Sequence, residues 1–194
     1  MTKLQVNRTL ECEGLACPLP VVRTKKTIDE MSAGEVLEVR ATDTGSIADL
    51  KSWSGRTGHH YLGMKEEGGV FRHYIRKAEP SDTKPEQTYP HTAGNEEVHA
   101  KLASGEPVTV IDVREPAEYA FGRIPGAVSI PLGQLEQRLD SLDSEAVYYV
   151  VCRTGTRSDM ACRIMADKGF RSVHNVLPGM SLWTYDLERD SSGQ

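Results

Sequence analysis

Long apolar runs are missing from this chain. No stretch approaches the eighteen or so consecutive apolar residues that a membrane-spanning helix needs, and the segment from Met1 to Leu10 is polar, with no apolar signal core. The expectation is a cytoplasmic protein with no membrane partner. An excess of basic charge is missing too. The 23 Lys and Arg against 28 Asp and Glu, a net charge of -5, exclude the strongly basic footprint of a nucleic-acid binder. Cysteine is scarce: Cys12, Cys17, Cys152 and Cys162 are the only four, and none forms the C-x-x-C pair of a zinc site. Neither a metal nor a cofactor is expected. In a reducing compartment these cysteines remain thiols, so the question is which of them works. The 38% hydrophobic and 26% charged content fits a folded globular chain.

The charge is unevenly spread. Residues 1–78 hold 12 Lys and Arg against 10 Asp and Glu, whereas residues 79–194 hold 11 against 18. Pro80, Pro85 and Pro90 recur among polar neighbours between these halves, the composition of a semi-rigid extended connection. The expected organisation is a domain over 1–78, a linker over 79–92 and a domain over 93–194. In the first domain the periodicity predicts a strand from Leu4 to Glu11 and a helix from Pro18 to Met31 carrying Val21, Val22, Ile28 and Met31. A strand at 36–39, a helix at 46–53 and a hairpin turning at Glu67-Gly68-Gly69 complete it. The order βαβαββ implies a two-layer α/β sandwich. In the second domain, strands at 108–113, 127–130, 146–151 and 173–176 alternate with helices at 96–103, 116–121, 132–139 and 157–168. That alternation implies a parallel sheet wrapped by helices. Met160, Ala161, Ile164 and Met165 are expected on the inner face of the last helix.

Cys152 stands where the most apolar strand ends and a helix is about to begin, the edge at which open α/β sheets bind ligands. Gly155 allows the intervening backbone to turn so that successive N–H groups converge on one point, and the following helix adds its positive end. Arg153 and Arg157 add formal charge. Cys152 is therefore expected to be a nucleophile, with Arg153, Thr154, Gly155, Thr156, Arg157 and Ser158 as the residues that bind its substrate. The spacing from Cys152 to Arg157 is C-x4-R. Cysteine phosphatases use C-x5-R, and the shorter loop suits a single sulfur better than a tetrahedral phosphate.

Asp112-Val113-Arg114-Glu115, Glu118-Tyr119, Gly122-Arg123-Ile124-Pro125-Gly126-Ala127, the Cys152 to Ser158 loop, Gly179 and Trp183 follow one another in an order that resembles the rhodanese family over roughly residues 92–188. Arg123 departs from the His of many relatives. The resemblance implies that Cys152 takes a sulfane sulfur from thiosulfate or a low-molecular-weight persulfide such as glutathione persulfide, and passes it to a thiol acceptor. Asp112 and Arg114 read as an ion pair shaping the sheet edge rather than as substrate ligands.

Cys17 precedes Pro18-Leu19-Pro20 and a helix. With Pro18 as the first helical residue, Cys17 is the cap, and the positive helix end is expected to lower its pKa. Cys12-Glu13-Gly14-Leu15-Ala16-Cys17-Pro18-Leu19-Pro20, Gly34-Glu35 and Arg72-His73-Tyr74-Ile75-Arg76-Lys77 resemble the TusA family of small sulfur carriers over about residues 6–78. That resemblance implies a persulfide on Cys17 and exchange with partner proteins. Cys12 and Cys162 read as packing residues, and His59, His60 and His73 lack a metal-ligand pattern.

The expected function is a sulfurtransferase and sulfur carrier, with Cys152 and Cys17 catalytic and Cys17 one candidate for the thiol that receives sulfur from Cys152. About fourteen extended linker residues at ~3.1 Å each reach on the order of 40 Å, so transfer within one chain is geometrically open. A homodimer exchanging sulfur between chains is the alternative. Two other functions stand beside this one: a non-catalytic persulfide sensor or adaptor, and a cysteine phosphatase or arsenate reductase on a rhodanese-like fold.

Overall fold

The computed structural model describes residues 5–79 and 89–190, and the chain divides into two compact units. In the first unit, β1 (Arg8–Cys12), α1 (Leu19–Asp29), β2 (Val36–Ala41), α2 (Gly45–Thr57), β3 (His60–Glu67) and β4 (Val70–Arg76) follow in the expected βαβαββ order. The strands form one mixed sheet in the order β1-β2-β4-β3, with β1 and β2 parallel and the other pairs antiparallel. Alternation along the strands sends Leu37, Val39 and Ala41 of β2 and Ile75 of β4 to the helix-covered face. There they pack with Cys12, Ile28, Met31, Leu50 and Trp53. Each fully buried Leu or Ile contributes roughly 1.5–3 kcal/mol. Cys12 is fully buried here, a packing residue as expected.

The parallel pairing of β1 with β2 positions the first site. Cys12 lies opposite Ala41, so the loops leaving the carboxyl ends of both strands emerge side by side. One carries Cys17 and the other leads into α2. The opposite sheet face is polar in β2 and β4, where the Glu38 carboxylate accepts from Arg40 Nε at 2.7 Å and Arg72 Nε at 2.9 Å. Burial works against the Glu38 charge, but these guanidinium hydrogen bonds more than offset it and hold its pKa below the usual value.

The second unit runs β5 (Thr92–Gly94), α3 (Asn95–Ala103), β6 (Val108–Asp112), α4 (Pro116–Phe121), β7 (Val128–Ser129), α5 (Leu135–Arg138), β8 (Val147–Val151), α6 (Thr156–Asp167) and β9 (Ser172–Leu177). Its five strands are all parallel, in the order β5-β9-β8-β6-β7. β8 lies at the centre, and its residues alternate between two cores. Tyr148 and Val150 face Ala161, Cys162 and Met165 of α6, whereas Tyr149 and Val151 face Val98 of α3 and Trp183. A strand covered on both faces reads as a continuous apolar run, which is the pattern of Val147-Tyr148-Tyr149-Val150-Val151.

Several boundaries differ from the sequence expectation. β5 lay within and just beyond the expected linker. Three residues including a glycine give no readable alternation, and the strand exists through its pairing with β9. Residues 80–88 of that linker lie outside the described residues, but Tyr89 and His91 are bonded into the second unit. Tyr89 N–H donates to Asp159 Oδ1 at 2.8 Å, and His91 O accepts from Asn175 N–H at 2.9 Å. The helix expected at 132–139 is broken into a 3-10 turn, the four-residue α5 and a second 3-10 turn. Met160 was expected inside and is exposed, as is Val22 on α1. Both are apolar residues within helical runs whose packing face is set by neighbours rather than by hydropathy.

Candidate active site

Cys152 continues the alternation of β8, so its side chain follows Tyr148 and Val150 toward α6 and is 1% exposed. The chain then turns through Gly155, whose φ of +96° lies in the left-handed region. That turn brings Gly155 N–H to 3.1 Å from Cys152 Sγ. A side chain at this φ would be strained. Ser158, in the first turn of α6, places Oγ 3.3 Å from Sγ and 2.6 Å from Asn175 Oδ1. Its single proton serves one acceptor at a time, so the hydroxyl can turn between the amide and the sulfur. Asn175 Nδ2 donates to Gly155 O at 3.1 Å. The sulfur thus faces a backbone donor, a hydroxyl donor and the amino end of α6, all of which suit a negative sulfur.

The loop is also held from behind. Cys152 O accepts from Met180 N–H and Arg153 O from Ser181 N–H, each at 2.9 Å. Gly179 comes so close that an added Cβ would lie 2.6 Å from Cys152 O. Asn95 of α3 fixes Gly179 through its amide, with Nδ2 to Gly179 O at 2.9 Å.

Arg157 is placed otherwise than its expected role. It is buried, and its terminal nitrogens donate to Glu118 Oε2 at 2.8 Å and Oε1 at 3.0 Å. Glu118 also accepts the Glu115 N–H at 3.0 Å in the capping box that opens α4. The charge of Arg157 is therefore paired inside the protein, and the residue braces the loop against α4 instead of offering a free cation to substrate. Arg153, Thr154 and Thr156 stand half-buried around the loop. Arg114 meets Asp112 through Nε to Oδ1 at 2.9 Å and Nη2 to Oδ2 at 2.6 Å, and reaches Gly122 O, the ion pair read from the sequence. Cys162 is fully buried. Burial first, then the nearby Asp159 and Cys152, pushes its thiol far up from its ordinary pKa.

Cys17 is exposed. The cap of α1 is Pro18, one residue later than expected, with Leu19 first in the helix and Pro20 buried behind it. The expected lowering of the Cys17 pKa is overturned. Its thiol donates to Asp49 Oδ2 at 2.5 Å, and its N–H donates to Asp43 Oδ2 at 3.2 Å. The hydrogen bond to Asp49, then desolvation, then the charges of Asp49 and Asp43 raise the pKa instead. These carboxylates escaped the sequence reading because they lie across the sheet edge on α2 and the turn before it. The signal was there as two aspartates six apart around a helix start. Asn175 escaped too, although a polar amide in the apolar run Val173-His174-Asn175-Val176 was the trace of it.

The family described as Sulfurtransferase TusA matches residues 8–77, and the family described as Rhodanese-like domain matches residues 94–186. The YrkF protein of Bacillus subtilis (strain 168) is 45% identical over 179 residues, covering 92% of this chain and 96% of that one. The chain belongs to the family that joins a TusA domain to a single rhodanese-like domain. Its first domain is also 46% identical over 72 residues to the sulfur carrier protein TusA of Allochromatium vinosum, covering 37% of this chain and 95% of that one. A solved rhodanese-like domain protein of Staphylococcus aureus is 33% identical, covering 52% of this chain and 99% of that one with a TM-score of 0.49. This TusA–rhodanese protein is thus a member of the sulfur carrier and sulfurtransferase families.

Proposed function

We propose that Cys152 takes sulfane sulfur from thiosulfate or a low-molecular-weight persulfide, holds it as a persulfide and passes it to a thiol acceptor, with Cys17 as the acceptor within the same chain. The observation that carries this reading is the placement of Cys152 Sγ against Gly155 N–H and the Ser158 hydroxyl at the amino end of α6. Those donors suit a thiolate, and equally the terminal sulfur of a persulfide. Cys152 attacks the outer sulfur of the donor. A new S–S bond forms on Cys152, and the donor leaves as sulfite or as a thiolate. A second thiolate then attacks the outer sulfur of the Cys152 persulfide, forming its own S–S bond and releasing Cys152. Transfer in two half-reactions through a covalent intermediate predicts ping-pong kinetics. Gly155, Ser158, Thr154, Thr156 and Arg153 line the proposed substrate site, and Arg157 supports it through Glu118. Ser158 also stands where the C-x5-R spacing of cysteine phosphatases requires an arginine, and the Arg157 guanidinium beside it is taken up by Glu118, which counts against phosphate chemistry. Thiols that must stay reduced between turnovers suit the cytoplasm.

The test is intact-protein and peptide mass spectrometry after brief exposure to thiosulfate or glutathione persulfide, on the wild type, Cys152→Ser and Cys17→Ser. One added sulfur on Cys152 that reaches Cys17 only when Cys152 is present is the expected result. Loading of Cys17 at the same rate in Cys152→Ser removes the relay, and no sulfur on either cysteine removes the whole reading.

A further inference from the structure

Cys17 is open to solvent, yet its sulfur is engaged. Two carboxylates press on the same residue, Asp49 at the thiol and Asp43 at the backbone N–H. Their positions are set by the start of α2. Asp43 Oδ1 also accepts from Gly45 N–H at 3.3 Å, and Asp49 lies on the first turns of the helix, whose next residue, Leu50, is fully buried. From the α2 side the charges that act on the sulfur are Asp49 and Asp43. On the α1 side Arg23 is turned elsewhere, donating to Glu11 O at 3.3 Å and acting on Cys12. A carrier thiol facing negative charge is chemically odd. Attack on a sulfane sulfur needs the thiolate, which Asp49 disfavours, and the same carboxylate repels a donor that is itself an anion.

We propose that Asp49 is the specificity-determining residue of Cys17, making this thiol discriminate against free anionic sulfur donors in favour of a persulfide that arrives beside a cationic side chain of a protein. The inference rests on the reading of Cys17 as a carrier thiol and names the class of donor it serves. A cation placed next to the donor sulfur pairs with Asp49, draws the carboxylate off the thiol and releases the Cys17 proton to solvent. The thiolate then attacks the terminal sulfur of the donor R–S–SH. The Cys17 S–S bond forms, the donor S–S bond breaks, and its electron pair leaves on the donor thiolate, which takes a proton from solvent. Sulfur moves as a neutral atom, so neither oxidant nor reductant enters. A basic residue adjacent to the persulfide-bearing cysteine, as Arg153 is to Cys152 in sequence, meets the requirement.

The charge selectivity is measurable without any sulfur donor. Cys17 in the full chain is alkylated with neutral iodoacetamide and with anionic iodoacetate near neutral pH, followed at the Cys17 peptide, in the wild type, Asp49→Asn and Asp49→Glu. In Asp49→Asn both rates rise, and the gain is about fourfold larger for iodoacetate, the size expected for one unit charge about 5 Å away in water. Asp49→Glu keeps the wild-type ratio, and added salt narrows that ratio in the wild type. Direct loading of Cys17 from glutathione persulfide, read in a Cys152→Ser background, rises on Asp49→Asn more than transfer to Cys17 from the Cys152 persulfide of its own chain does. An unchanged iodoacetate to iodoacetamide ratio in Asp49→Asn, with the wild-type circular dichroism spectrum, overturns the proposal. If Cys17 takes up no sulfur in the wild type or either variant, the carrier reading itself falls, whatever the alkylation ratio.

Discussion

Asn175 ties the two ends of the Cys152 loop together, accepting from the Ser158 hydroxyl and donating to Gly155 O from a fully buried position on β9. Truncation removes two hydrogen bonds, at roughly 0.5–1.5 kcal/mol each, and leaves the Ser158 hydroxyl with Cys152 Sγ at 3.3 Å and Gly155 O with the Asp159 N–H at 3.0 Å. Asn175→Ala is therefore expected to lower the stability of the second unit by about 1–3 kcal/mol and to slow sulfur loading of Cys152. Urea unfolding and peptide-resolved loading rates check the two effects separately. In the first unit, the fully buried His73 bonds Ser46 Oγ through Nε2 at 3.0 Å and Tyr61 OH through Nδ1 at 2.8 Å. Burial lowers its pKa from 6.5 to about 4. Because the folded value lies below the unfolded one, the unfolded chain binds the proton first as pH falls. The neutral histidine thus destabilises nothing above pH 6.5, and stability is lost progressively from there down to about 4, by an amount on the order of 3 kcal/mol. Melting temperature against pH should fall across that window in the wild type and fall less in His73→Gln.

Elements position both thiols by their carboxyl ends. Parallel β1 and β2 bring the Cys17 loop beside the start of α2, and the parallel neighbours of β8 leave Cys152 at the sheet edge where α6 begins. The segment after β9 closes the back of the Cys152 loop, and Gly179 is its point of nearest approach. With φ at +85° and Cys152 O 2.6 Å and Arg153 O 3.0 Å from an added Cβ, Gly179→Ala meets backbone rather than a yielding side chain. The expected outcome is a loss of at least about 2 kcal/mol from the backbone conformation and the clash together, with faster alkylation of Cys152 as the loop is pushed open. Denaturant titration and timed iodoacetamide labelling of Cys152 read the two effects. A normal unfolding midpoint in Gly179→Ala would mean that the segment after β9 moves aside freely.

For the whole molecule, the distinguishing question is whether sulfur passes between thiols of one chain or of two. Linking two reacting groups through a short connection raises their effective concentration to roughly the millimolar range, far above the protein concentration in a dilute assay. The expected result is a transfer rate from Cys152 to Cys17 that does not change on dilution, together with little label on Cys17 when Cys152→Ser chains are mixed with persulfidated Cys17→Ser chains. Transfer in the mixture as fast as in the wild type would mean exchange between chains. Among the described residues no helix is long and apolar enough to cross a membrane.

Local signals determined much of this protein. The alternation in β2, the continuous apolar run of β8 and the glycine after Cys152 are properties of neighbouring residues, and they are enough to announce two α/β units and a cysteine between a strand end and a helix start. Tertiary structure alone decided the electrostatics around the two sulfurs. Asp49 reaches Cys17 across 32 positions of sequence and Glu118 reaches Arg157 across 39. No local pattern shows that one thiol will face a carboxylate, or that one arginine will be neutralised before any substrate arrives. The sign of the field at a side chain depends on which chain segments the fold brings within a few ångströms, and that is fixed only when the sheets pair and the helices pack.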